Sequence, residues 1–184
     1  LNAGVKTYNG SINFSVDGKK LETLAHEMQR AGASVGVVTS VPICHATPAC
    51  VYAHNVSRDD YQDISRDLLG LRSVSHRSDP LPGLDVLIGC GWGEFRDDER
   101  ADQGENYVPG NRYITRDDIN RIDISNGGKY VVAERTSGKS GLQVLRKGVD
   151  SAISGGNRLF GFFGATRGHL PYQTADGNYD PTMG

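Results

Sequence analysis

The sequence predicts an α/β fold built on a mainly parallel sheet, and three features predict it. Short apolar runs recur at Ser34 to Thr39, Asp85 to Ile88, Tyr130 to Ala133 and Leu159 to Phe163, and nearly continuous runs of this length mark strands covered on both faces. Stretches with apolar residues at helical spacing lie between them. Glycines, 24 in 184 residues, cluster at the joins, where backbone has to turn. Helix, turn, strand, repeated in this way, is the pattern of a doubly wound sheet with right-handed crossovers. The pattern does not fix the strand order.

Taken along the chain, Lys19 to Ala31 carries Leu21, Leu24, Ala25 and Met28 at helical spacing, with Gly32 as a left-handed stop. The first strand, Ser34 to Thr39, follows. Thr47 is then expected to cap a helix with Pro48 at its first position, leading into Ala49 to Ser57. A further helix is expected near Tyr61 to Leu69. The strand at Asp85 to Ile88 runs into Gly89-Cys90-Gly91-Trp92-Gly93, where alternating glycines permit a sharp turn at the carboxyl edge. Residues 96–113 are polar, include Asp97-Asp98-Glu99-Arg100 and lack a periodic apolar face, so an exposed loop excursion is expected there. Thr115 starts a short helix reaching about Ile124, closed by Asn126-Gly127-Gly128. After the strand at Tyr130 to Ala133, Ser140 to Ile153 places Leu142, Leu145, Val149 and Ala152 near helical spacing. Gly155-Gly156 ends that helix before the last strand.

Composition narrows the function classes. The formal charge is −2, from 20 basic and 22 acidic residues dispersed along the chain, which is not the concentrated positive field that nucleic acid requires. The longest apolar stretches, Val35 to Val38 and Leu159 to Gly164, fall far short of a membrane span. Cys44, Cys50 and Cys90 include no C-x-x-C pair; they read as packed free thiols, although Cys44 and Cys50 can meet if their loop folds back. Neither the first residues, Leu1-Asn2-Ala3-Gly4, nor the last, Pro181-Thr182-Met183-Gly184, resemble natural ends. We therefore expect residues 1–184 to be the central fragment of a longer domain, with apolar surface left exposed.

Spacing alone supports little chemistry. His45-Ala46-Thr47 follows the first strand, at the edge where α/β folds hold ligands. An imidazole there suits a metal or its water, and a Thr oxygen suits a hard cation, but from spacing alone ordinary turn and capping duty at Thr47 is the preferred reading. Arg58 offers planar donors that match phosphate, and His54 lies one helical turn before it. The glycines at 89–93 are not G-x-G-x-x-G, and Ser137-Gly138-Lys139-Ser140 lacks the spaced glycines of a phosphate-cradling loop. Asp97, Asp98 and Glu99 read as solvated carboxylates. No acyl-transfer triad or H-E-x-x-H helix is present.

The ordered segments nevertheless resemble one family, the metal-dependent alkaline phosphatases. The resemblance rests on Gly4-Val5-Lys6-Thr7-Tyr8-Asn9-Gly10, on Glu22-Thr23-Leu24 with Gly36-Val37-Val38-Thr39-Ser40, on His45-Ala46-Thr47-Pro48-Ala49, and on Tyr52-Ala53-His54-Asn55-Val56-Ser57-Arg58. Asp85-Val86-Leu87-Ile88-Gly89-Cys90-Gly91 continues it, and the likeness is looser from Arg116 to Pro181. It implies part of an alkaline-phosphatase-like α/β/α sandwich and hydrolysis of phosphate monoesters through a phosphoserine, with two zinc ions and one magnesium ion. Arg58 is then the residue that holds phosphate oxygens during catalysis, Thr47 a magnesium ligand, and His45 a residue acting near magnesium. Periplasmic or secreted location and a homodimer are implied by the same likeness.

The departures also matter. The family's nucleophilic serine lies in an Asp-Ser-Ala-like segment before the position matched by Gly4, and Asp150-Ser151-Ala152 comes in the wrong order relative to Arg58. No nucleophile is assigned, and the zinc-ligand clusters are expected past Gly184. The isolated chain is expected to be inactive. Two alternatives stand beside the phosphatase: a noncatalytic scaffold or interaction module on the same fold, and another metalloenzyme of the superfamily, such as a sulfatase or phosphodiesterase.

Overall fold

The computed structural model describes residues 2–95 and 100–164. Four strands, β1 (Gly36–Pro42), β2 (Val86–Cys90), β3 (Tyr130–Glu134) and β4 (Arg158–Phe163), form one sheet in the order β1-β2-β4-β3. Every ladder in it is parallel. Helix α1 (Leu24–Arg30) precedes the sheet, α2 (Ala46–Ala49) and α3 (Tyr61–Leu69) connect β1 to β2, α4 (Arg116–Ile122) lies between β2 and β3, and α5 (Gly141–Gly155) returns from β3 to β4. The sheet is thus mixed with helices in the α/β manner expected, and it fits part of an α/β/α sandwich.

Alternation along the strands divides the core in two. Val37, Leu87, Phe160, Phe162 and Tyr130 share one cluster with Ala49, Ile64, Leu68, Ile119 and Ile122 from the helices. On the other face Val131, Ala133, Leu159 and Phe163 pack with Val144, Leu145, Val149 and Ala152 of α5. Two glycines set the approach distances. A Cβ on Gly161 would stand 2.9 Å from the Ile88 side chain, and one on Gly148 would stand 2.7 Å from the Cβ of Ala133, so strand and helix come closer there than any other residue permits.

Two helices differ from the sequence expectation. Residues 19–23 stay outside α1 because Phe14 bridges Lys20 and the Leu21 amide donates to Asn13 O at 2.8 Å. The helix begins after Thr23, whose hydroxyl accepts from the His26 amide while the His26 ring accepts from the Thr23 amide. Leu24 and Met28 are exposed and His26 is the buried residue of α1, so the apolar stripe does not mark the interior face. Thr47 is not the cap of α2: that place belongs to His45, with φ −57° and ψ 157°. The predicted continuation to Ser57 is broken because Asn55 pairs with Ile12 through reciprocal backbone bonds of 3.1 and 2.7 Å, which pulls the chain out of helix. His54 consequently does not share a helix face with Arg58.

The remaining elements follow the sequence closely. Helix α3 has the predicted bounds, Thr115 caps α4 through its hydroxyl, and Ser140 precedes α5. Gly91 turns at φ +124°, where a side chain would strike Phe162 and Tyr113. All three cysteines are free thiols; burial pushes Cys44 up to about 12. Among the described residues no helix is long and apolar enough to cross a membrane. On the α5 side of the sheet Val38 of β1 is 74% exposed, so that face is uncovered over the β1 edge. The described part of residues 96–113 lies against α3: Gln62 donates to Val108 O and Asn111 O, each at 2.9 Å, and Asn106 donates to Asp63 at 2.9 Å.

Candidate functional site

The loop after β1 is tied to its neighbour strand by the Ile43 amide, which donates to Cys90 O at 3.1 Å. His45 then starts α2, accepting the Ala49 amide on its carbonyl at 2.9 Å. Its half-buried imidazole lies nearly parallel to the Tyr61 ring, with centroids 6.0 Å apart, and edge-on to Tyr113 at 6.5 Å. Burial raises both phenols, Tyr61 to about 12 and Tyr113 further, so they stay neutral hydroxyls. The Arg112 guanidinium lies over the Tyr61 ring at 5.6 Å. Two residues on, Thr47 is carried to solvent on the α2 turn.

Arg58 is reached from His45 through two intermediates. Tyr61 donates its hydroxyl to Asp59 at 3.3 Å, and Asp59 lies 3.9 Å from Arg58 Nε. Both side chains of that ion pair are about half exposed, so it adds little stability, and its long separation leaves the guanidinium's planar donors accessible to an outside anion. The backbone under Arg58 is fixed more firmly than its side chain. Its amide donates to Gly10 O at 2.7 Å. Buried Asn55 accepts the Ser57 amide at 2.9 Å and donates to Asp60 at 3.0 Å, while Asp60 also accepts the Gly104 amide at 3.2 Å. Gly104 is required for that approach, since a Cβ there would fall 2.4 Å from the carboxylate. Asn55 and Asp60 are therefore positioning residues for the Arg58 turn. Sequence reasoning did not single them out, because their partners lie on distant segments.

His54 takes its contacts from other segments. It is 5% exposed, with Nε2 2.8 Å from Leu21 O and Nδ1 3.1 Å from His76 Nε2. His76 Nε2 lies 3.8 Å from Asp67 of α3, and one ligand atom from each of His54, Asp67 and His76 falls within 4.8 Å of the others. This is a group with the chemistry and spacing to hold a metal ion. Only His54 stood out in the sequence; Asp67 meets it from α3 and His76 from the turn after that helix, a convergence that no local spacing encodes.

A groove of about 1040 Å³ elsewhere, lined by Trp92, Asn111, Arg116, Glu134 and Phe162 among others, contains none of His45, Thr47 or Arg58. The Asp150-Ser151-Ala152 segment lies on α5, with Ser151 exposed and Ala152 buried against the sheet, on the face opposite α3.

Across residues 1–183 the chain matches the family model described as alkaline phosphatase. It is 36% identical over 118 residues to alkaline phosphatase 4 of Bacillus subtilis (strain 168), covering 62% of this chain and 24% of that protein. The chain thus spans about a quarter of that relative's length. The cold-active alkaline phosphatase of the psychrophile Shewanella sp. superposes with a TM-score of 0.57 at 20% identity, over 94% of this chain and 32% of that one. A TAB5 alkaline phosphatase mutant with Mg bound in its M3 site gives 0.53 at 22% identity, over 92% and 38% of the two chains. At such identities the superpositions establish the fold.

Proposed function

The chain belongs to the alkaline phosphatase family, and on that premise we propose that the complete protein hydrolyses phosphate monoesters through a phosphoserine intermediate. The observation that supports this most is the loop from His45 to Arg58. It carries the family residues in order and, through Tyr61 and Asp59, links an imidazole at the carboxyl edge of the sheet to an accessible guanidinium. Arg58 would hold the nonbridging oxygens and stabilise phosphoryl charge as the reaction advances. Thr47 and His45 would help to hold magnesium. An exposed hydroxyl and an imidazole two residues apart fit such an ion as a partial set only, because a hard cation takes about six ligands, mostly oxygen. Two zinc ions and the magnesium, when bound, supply charge neutralisation and activation of the attacking oxygens.

In this reading the serine and the zinc ligands come from outside the 184 residues, and Ser151 has no catalytic part. The chain by itself would bind phosphate without turning it over, since attraction that treats substrate and transition state alike does not speed chemistry. Periplasmic or secreted location and a homodimer belong to the same proposal. The test compares the complete protein with residues 1–184 at alkaline pH and identical zinc and magnesium loading, using p-nitrophenyl phosphate, a sulfate ester and a phosphodiester. Phosphomonoester turnover by the complete protein alone supports the proposal. Preference for the sulfate or diester contradicts it, as does inactivity of the complete protein when fully loaded with metal.

A further inference from the structure

We propose that His54, Asp67 and His76 form a zinc-type metal site that clamps the Arg58-bearing segment to α3. The proposal rests on the hydrogen-bond roles of these groups and does not depend on the phosphatase reading. None of the three is a residue the family resemblance assigned to a metal or to phosphate.

Backbone carbonyls only accept hydrogen bonds. Leu21 O, 2.8 Å from His54 Nε2, therefore places the ring proton on that nitrogen and leaves a lone pair on Nδ1. Asp79 O lies 3.3 Å from His76 Nδ1 in a longer, exposed contact, and when that nitrogen donates to it the lone pair of the second ring is on Nε2. The two bare nitrogens then face each other at 3.1 Å, with an oxygen of Asp67 3.8 Å from one of them. In that tautomer three acceptor atoms converge, and a metal ion satisfies all three at once; in the other, His76 donates its Nε2 proton to His54 Nδ1 and both rings stay neutral.

Several features favour the metal. Ligands about 2.05 Å from a tetrahedral zinc stand ~3.3 Å apart, which lies between the two distances found, so a small adjustment seats the ion. An imidazole whose outer N–H is held by a carbonyl is the usual metal-ligating tautomer. Asp67 is oriented in the same way, accepting the Ser73 hydroxyl on one oxygen and the His54 amide, at 2.9 Å, on the other. Burial opposes a lone proton on either ring. His26 and Lys20 oppose added positive charge from one side, whereas Asp63 and Asp79 favour it from others. Two imidazoles and one carboxylate match zinc better than magnesium or calcium, which prefer oxygen. The His76 side chain, 12% exposed, keeps an edge toward solvent from which a fourth ligand can come.

The site is tested by metal content and not by turnover. The purified protein, stripped with chelator and dialysed against Zn²⁺, is analysed by mass spectrometry of its metals, and Co²⁺ is substituted to read the visible absorption of a four-coordinate ion. In a background carrying H45A and T47A, the protein is expected to hold one equivalent more than the same background with H76Q, and the difference spectrum of the cobalt-loaded pair should be that of a four-coordinate ion. Adding H76Q should weaken binding by roughly tenfold or more, a scale that losing even an outer partner reaches, and D67N should do the same. If D67N fails to fold, H76Q at the less buried position decides alone. Zinc binding unchanged by H76Q overturns the proposal, and so does a folded protein that binds no zinc there, with His76 neutral or protonated.

Discussion

Helices α3 and α5 cover opposite faces of one sheet, and they are buried by different means. Helix α5 obeys the apolar rule: Gly148 and Ala152 seat it on β3 and β4, Leu145 and Val149 pack beside them, and its other side meets solvent. All nine residues of α3 are buried although five of them, Gln62, Asp63, Ser65, Arg66 and Asp67, are polar or charged. Each finds partners. Arg66 donates to Asp63 at 2.7 Å and to Asp118 at 3.0 Å, and Ser65 donates to Tyr113 O at 2.6 Å. Asp63 also accepts the Val74 amide at 2.8 Å. The difference teaches that the face bearing the candidate site is held by directed polar contacts, which fix positions, while the opposite face is held by area and shape. The turn that carries Arg58 is anchored on the side where bonds have directions.

The comparison predicts unequal responses to substitution. Arg66→Ala strands two buried carboxylates and should cost about 3–5 kcal/mol in urea unfolding; a cost below about 1 kcal/mol would break the claim that α3 depends on its ion pairs. Asn55→Ala removes the brace between the Arg58 turn and Asp60, with an expected loss of about 1–3 kcal/mol together with weaker phosphate binding. An effect on stability alone would mean that the brace does not position Arg58. On the α5 side, Gly148→Ala gains about 1 kcal/mol of helix propensity but forces a contact 2.7 Å from the Ala133 Cβ, an overpacking cost of about 1–3 kcal/mol. Net destabilisation of up to about 2 kcal/mol is therefore expected, and a more stable variant would show that this face accommodates volume freely. Leu142→Gln, at an exposed position of α5, should change stability by less than about 0.5 kcal/mol.

Much of this was legible in the sequence for a physical reason: buried parallel strands are written as local apolar runs, so β1 to β4 and their glycine turns stand out. Helix α3 was legible as a helix, but its environment was not. Its polar residues look like a solvated face until Tyr113, Asp118 and Asn106, all more than 40 positions away, are seen to meet them. Leu24 and Met28 misled in the opposite sense, since apolar spacing marks a face without saying that anything covers it. At the candidate site His45, Thr47 and Arg58 were accessible through family resemblance to a continuous segment. Asn55, Asp60, Asp67 and His76 act through partners brought in by the fold, and so carried no signal in one dimension.

The central claim is that Arg58 is an anion-binding side chain on a rigidly held turn. Its most direct test is Arg58→Ala in the complete protein, measuring inorganic phosphate inhibition and kcat/KM beside urea unfolding. A lost charge-assisted bond is worth about 1.5–3 kcal/mol, so phosphate affinity should fall by roughly 10- to 150-fold and kcat/KM with it. Because the Arg58 side chain is 51% exposed, the unfolding free energy should move by less than about 0.5 kcal/mol. Unchanged phosphate affinity, or a loss of stability large enough to account for the loss of binding, would contradict the account.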